Sequence, residues 1–219
     1  MDQLGAAQAL FTKQVDAYVA RRYPLLAELT EIDFRDRLEP LRRAVDHAVA
    51  AGLSVRKTTG RVPFVVVVTS RLLPAEVRVP GLVPEQSTTP GSLDPGWREG
   101  ELETFAPTPN LVIPERDAYL LLDVGRGDDY REITANDAVF DLGSHGRTAL
   151  TLDEGVSLAT VYPSTLERDA GFMLAGSRRE DLRVPAIWVS AGAAKLGWGG
   201  AETPEAYLGI ASAAARLAA

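Results

Sequence analysis

Pro63-Phe64-Val65-Val66-Val67-Val68-Thr69 is a continuous, largely β-branched run. A strand with one wet face alternates apolar and polar residues, so an unbroken run reads as a strand covered on both faces and therefore central in its sheet. Upstream of it the texture is helical. Leu4, Ala7, Phe11, Val15 and Tyr18 recur every three to four positions between Asp2 and Arg22, the stripe of an amphipathic helix that Tyr23-Pro24 closes. Thr30 opens a second helix: its hydroxyl can accept from the backbone N–H of Asp33, whose carboxylate suits the positive helix end. Phe34, Leu38, Leu41, Val45 and Val49 mark its buried face, Pro40 a kink or restart, and Gly52 the stop.

Downstream, residues 73–116 hold Pro74, Pro80, Pro84, Pro90, Pro95, Pro107, Pro109 and Pro114, eight of the 14 prolines. Proline lacks the N–H that helices and inner strands need, so this stretch reads as extended covering or as a lid. Ala118 to Val124 is a second buried strand, ended by the turn Gly125 to Asp129. Thr134 with Asp137 starts a short helix, and Thr151-Leu152-Asp153-Glu154 is a capping box before Val156, Leu158 and Val161. Pro163 ends that helix, and Ser164 with Glu167 predicts another short one. Gly171 to Ala175 and Val184 to Val189 read as strands joined by the charged turn Ser177 to Arg183. A glycine-rich loop, Gly192 to Gly200, then precedes a helix from Pro204 with Thr203 as N-cap. The expectation is one α+β domain over residues 1–219. It comprises an N-terminal helical pair (1–52), a mixed β-sheet of four or more strands with helices packed on it, the long Pro/Gly-rich segment, and a C-terminal α/β block (117–219).

The chain has 219 residues, 46% hydrophobic and 24% charged, with a formal net charge of −7. That acidity argues against a nucleic-acid partner, whose affinity is built on excess Lys and Arg. No apolar run approaches the roughly 20 residues of a membrane span, so no membrane partner is expected, and the N-terminal residues lack a secretory pattern. With no cysteine the reading is cytoplasmic. Zero cysteine and two histidines also disfavour zinc, haem-thiolate, iron–sulfur and cysteine-nucleophile chemistry, so the expectation is a protein without metal or cofactor.

Five blocks carry a resemblance. They are Leu150-Thr151-Leu152-Asp153-Glu154-Gly155-Val156-Ser157-Leu158, Phe172-Met173-Leu174-Ala175-Gly176-Ser177-Arg178-Arg179, Arg183-Val184-Pro185-Ala186-Ile187-Trp188-Val189-Ser190, Lys195-Leu196-Gly197-Trp198, and Leu208-Gly209-Ile210-Ala211-Ser212. In this order they resemble an actinobacterial family known only as a domain of unknown function, over most of the chain. The resemblance implies no activity. In the family the Lys-Leu-Gly-Trp block continues with Cys-Trp and then Asn-Pro-His-x-Trp-Leu-Gly. This chain has Gly199-Gly200 and Thr203-Pro204-Glu205-Ala206-Tyr207-Leu208-Gly209 instead, so any chemistry of that cysteine or histidine is missing here.

The candidate ligand site is the C-terminal block. Arg178, Arg179 and Lys195 could hold an anionic group while Trp188 and Trp198 flank an apolar body, giving a small anionic or amphipathic ligand. The competing view pairs the arginines with Glu180 and Asp181 on a solvated hairpin. His145 is the weak candidate for acid–base work, against a capping or surface role; His47 reads as surface. Ser157, in a degenerate nucleophile-elbow pattern, falls inside a capped helix. Asp33, Asp36 and Glu39, like Asp128 and Asp129, have arginine neighbours that point to capping and pairing rather than to magnesium. Arg126-Gly127-Asp128 is a chance match to an adhesion tripeptide. Three functions remain open: a cofactor-independent small-molecule-binding protein or enzyme of specialised metabolism; a non-catalytic interaction module docking through Leu82, Val83, Leu93 and Trp97; and a carboxylate/His145 acid–base catalyst. Gln86 to Ser92 has no apolar residue beyond proline with which to offset its chain entropy. The first cuts of native limited proteolysis are expected there, and a saturating ligand should slow them if the segment is a lid.

Overall fold

A computed structural model describes residues 2–56, 58 and 60–219. The first helix, α1 (Gln3–Ala20), is capped by Asp2, which accepts from the Gly5 N–H at 2.5 Å. A single turn, α2 (Tyr23–Leu26), leads to α3 (Glu31–Leu38), capped by Thr30 through a 3.1 Å bond from the Asp33 N–H. Pro40 starts α4 (Pro40–Ala50) rather than kinking one long helix, because proline's missing N–H is harmless in a first turn. The buried face of α1 is Ala7, Phe11, Gln14, Val15 and Tyr18, while Leu4 stays exposed.

The strands and remaining helices run β1 (Arg61–Val68), α5 (Ala75–Arg78), β2 (Ser92–Leu93), β3 (Ala106–Pro107), β4 (Ala118–Gly125), α6 (Ala135–Ser144), β5 (Thr148–Ala149), α7 (Leu152–Val161), β6 (Gly171–Met173), β7 (Ser177–Arg178), β8 (Arg183–Ser190), β9 (Ala193–Gly200), β10 (Leu208–Ile210), β11 (Ser212–Ala213) and β12 (Ala215–Leu217). The fold is α+β. One sheet is antiparallel in the order β1-β4-β11-β5, with β12 also pairing β4. The other is mixed, β10-β6-β8-β9-β2, with a parallel pair at each end. A two-stranded ribbon joins β3 to β7. The last strands pass from the mixed sheet to the antiparallel one. Where they do, a Cβ on Gly127 would stand 1.9 Å from the Ile210 carbonyl oxygen, so only glycine fits.

Three expectations are corrected. First, β1 is not central but lies at the edge of its sheet, although seven of its eight residues are buried. Helices cover its outer rim. The Phe64 carbonyl and the N–H and carbonyl groups of Val66 and Val68 are met by side chains, not by a strand. Gln14 of α1 donates to the Phe64 carbonyl (3.0 Å) and accepts from the Val66 N–H (2.8 Å). The Tyr18 hydroxyl donates to the Val66 carbonyl and that of Tyr162 to the Phe64 carbonyl. Ser157 of α7 accepts from the Val68 N–H, and buried Arg78 donates to the Val68 carbonyl at 2.6 Å.

Second, Ser164 caps no α-helix: Pro163–Thr165 is a single 3-10 turn, after which Glu167 bridges to Ala170. Third, the glycine-rich stretch is the strand β9, and no helix follows Pro204. Ala191 and Gly192, both with positive φ, form the two-residue hairpin turn between β8 and β9. The Ala-rich terminus is drawn into β10 to β12 because pairing with β6 and β4 outweighs the modest preference of alanine for helix.

Replacing Gln14 by Leu keeps the volume and strands the Val66 N–H in a dry interior. Such a group costs about 1–3 kcal/mol, so urea unfolding should show a loss of that size, with little change in the slope.

Candidate functional site

The β8-β9 hairpin places two of the sequence candidates side by side. Trp188 faces Lys195 across the strands, and the indole lies over Gly197, where a Cβ would sit 2.2 Å from its ring. Lys195 donates to the Ser92 hydroxyl at 2.7 Å, pinning β2 of the proline-rich segment onto β9. Trp198 is three residues further along β9 and so projects from the opposite face, with the Arg183 guanidinium 3.8 Å from its ring centroid. The structure thus unites Trp188 with Lys195 and separates both from Trp198.

Arg179 leaves the ribbon strand β7 and is held on both sides. It pairs with Asp181 at 2.5 Å and with Glu101 of the proline-rich segment, and Arg183 shares Glu101 at 3.3 Å. The Arg98 backbone N–H and Arg179 hold the Glu101 carboxyl below its ordinary range, Arg179 does the same to Asp181, and the two acids raise Arg179 in return. This triad clips the hairpin to the segment. The segment is also anchored by Leu82, Leu102 and Phe105, all buried, and by the Trp97 indole, which donates to the Leu196 carbonyl at 2.7 Å. Leu82 is therefore no docking residue; Leu93 and Trp97 pack against the core, and Val83 is half-buried.

Arg178 is different. Its neighbour Ser177 accepts from the Leu152 N–H and fixes β7 against the start of α7. The Arg178 side chain then enters a groove of about 830 Å³ between the proline-rich strip Ala106 to Leu111, the α6 face bearing Asn136, Val139 and Gly143, and the strand edge Arg147 to Ala149. Its Nε is buried without a hydrogen-bond partner, and its guanidinium has no ion-pair partner among the described residues. Two other arginines line the groove, both already engaged: Arg179 as above, and Arg147, which donates to Asp123 at 2.5 Å and to Ser212. Apolar wall comes from Pro107, Leu111, Val139, Ala175 and Leu182. One unpaired cation in an apolar groove can take the anionic end of an amphipathic molecule. Nothing in the chain sequence marks Arg178 apart from Arg179, since the difference is in which acids the fold brings near.

His145 is the C-cap of α6, largely exposed, with Nδ1 2.9 Å from the Asp141 carbonyl. It borders a separate cleft with Asp128, Asp129 and Tyr130. There the Tyr130 hydroxyl donates to Asp141 at 2.7 Å; desolvation and that carboxylate push the phenol up to about 12, out of reach for proton transfer near neutrality. Ser157 is buried in α7 and bonded to β1. Arg126 is buried and pairs with Asp128, so the tripeptide is not displayed. Asp33 caps with Thr30, Glu39 pairs with Arg42, and no described group of three or more His, Asp or Glu is arranged to hold a metal ion. Among the described residues no helix is long and apolar enough to cross a membrane.

Fold and site together define an α+β protein with an arginine-lined groove beside a proline-rich segment. Residues 17–219 match DUF5701, a family of unknown function, and the chain belongs to that family. No curated protein matches it. No solved structure matches it either.

The clip predicts an acid response. Glu101 and Asp181 titrate below their free range, so their contribution is complete above the ordinary carboxylate range and is lost as the pH falls through their lowered values. The protection factors of amides in residues 100–105, taken against the intrinsic exchange rate at each pH, should fall as acid titrates the two carboxylates and before global unfolding, and Arg179→Met should show the lower protection already at neutral pH.

Proposed function

We propose that this protein binds a small organic anion with an apolar body in the groove at Arg178. The observation that carries the reading is Arg178 in a groove walled in part by Pro107, Leu111, Val139, Ala175 and Leu182, its Nε buried without a hydrogen-bond partner and its guanidinium without an ion pair among the described residues. A cation left in that state costs stability, whereas an anion that docks on it forms a charge-assisted bond worth about 1.5–3 kcal/mol. Binding rather than turnover is favoured because the groove lining holds no histidine, cysteine or aspartate, and its hydroxyls, Thr108 and Thr148, have no base there beyond exposed Glu180. The clip of Glu101 and Arg179 sits at one end of the groove, so occupancy and the order of the proline-rich segment are coupled in this reading.

Naphthoate is a suitable probe and naphthylmethanol its neutral counterpart. Calorimetry should find the acid bound at least tenfold more tightly than the alcohol, equivalent to about 1.4 kcal/mol. Arg178→Met should erase that preference without lowering the melting temperature, since it also removes an unsatisfied buried donor; Arg178→Lys should retain part of it. Equal affinity for acid and alcohol in the unaltered protein, or a preference that survives Arg178→Met, refutes the reading.

A further inference from the structure

A second cavity, of about 390 Å³, lies on the other side of the β3–β7 ribbon, between the first turn of α7 and the proline-rich segment. We propose that it is a separate site for an organic ammonium ion that carries an apolar body and a neutral oxygen acceptor. Three independent features converge there.

The first is the wall. Leu102, Phe105, Ile113 and Leu152 give a lining that suits a single aromatic or branched side group. The second is charge. Asp153 lines the cavity, about a quarter exposed, and its carboxylate is oriented by the Ser70 N–H (2.8 Å), the Ser70 hydroxyl (2.6 Å) and the wholly buried Arg78. Arg78 neutralises Asp153. Glu76 and Glu103, exposed at the mouth, have no ion-pair partner among the described residues, so the opening carries uncompensated negative charge. Repulsion there excludes anions and favours a cation.

The third feature points to the acceptor. Ser177 is 2% exposed and lines the cavity; its oxygen accepts from the Leu152 N–H at 2.9 Å, and its own hydroxyl hydrogen reaches no acceptor among the described residues. Thr151, 4% exposed, lines the cavity beside it as the N-cap of α7. A buried hydroxyl proton without an acceptor is as costly as any other unsatisfied donor. A carbonyl oxygen of a ligand supplies the missing acceptor while the ammonium group lies toward Glu76 and Glu103 at the mouth. This is the opposite charge preference from the groove at Arg178, and it does not rest on that reading.

Phenylalaninamide near pH 6, below the α-amino range of about 7.7–8.0, carries all three elements. Calorimetry on the full chain should give saturable one-to-one binding. Phenylethylamine lacks the acceptor, N-acetylphenylalaninamide lacks the charge, and phenylalanine adds a carboxylate; each should bind at least tenfold more weakly. Glu76→Gln with Glu103→Gln should weaken phenylalaninamide about tenfold and leave naphthoate binding and the melting temperature unchanged, and Ser177→Ala should abolish the advantage of the amide over phenylethylamine. No saturable binding of phenylalaninamide, equal binding of the acetylated analogue, or affinity indifferent to the two glutamates would overturn the proposal.

Discussion

The outer rim of β1 sets the terms for the rest of the molecule. A sheet edge that faces water can leave its N–H and C=O groups to solvent, but β1 is buried on that edge, and each outward peptide group there needs a partner inside the protein. Gln14, Tyr18, Ser157, Tyr162 and Arg78 provide them from α1, α5 and the α7 region. Because a hydrogen bond tolerates only a few tenths of an ångström, these contacts fix how each helix sits along the strand. They act as a side-chain replacement for a missing strand, and they also close the edge to pairing with another chain.

Once α7 is placed in this way, its N-terminal turn organises what surrounds the candidate sites. Glu154, fully buried, accepts from the Thr151 N–H, the Tyr119 hydroxyl and Arg216, so one carboxylate joins α7, β4 and β12. Burial alone would lower the Arg216 guanidinium, and the charge of Glu154 more than reverses this; burial and Glu154 together push the Tyr119 phenol far up. Breaking such a group from one side is worse than never having built it, because the charge left behind stays buried. The next residue back, Asp153, lines the proposed ammonium cavity, and the Leu152 N–H donates to Ser177, which sets the ribbon strand carrying Arg178. Both cavities therefore inherit their geometry from the same helical turn.

What the sequence shows of this is what short-range physics controls. The Thr30 and Thr134 caps, the Thr151–Glu154 box and the restart at Pro40 depend on neighbours three or four residues away, and they stand where the residue types place them. The valine run reports that both faces of β1 are covered, yet face burial says nothing about what lies at a strand's edge, and so the inference to a central position fails. Gln14 was the available sign: a polar residue on the buried stripe of α1 must have a polar partner. The C-terminal strands were hidden because alanine and glycine speak weakly for any state, while a decisive contact, Gly127 against Ile210, is set by a residue tens of positions away.

The sites are legible to a smaller degree for the same reason. Composition places Arg178, Arg179, Trp188, Lys195 and Trp198 in one block, but strand alternation sends Trp198 to the face opposite Lys195, and the fold gives Arg179 two acids and Arg178 none. The contrast between these adjacent arginines is informative about selection of structure. A guanidinium with a buried unsatisfied N–H lowers stability, whereas Arg179, one position on, receives Glu101 from the proline-rich segment. The engaged acids and bases, Asp153 with Arg78 and Arg147 with Asp123, cancel within the walls, whereas Arg178 beside exposed Glu180 in one cavity, and Glu76 with Glu103 at the other, form no ion pair among the described residues. In the proposed readings, the paired charges hold the walls and the unpaired ones are those that would meet a ligand.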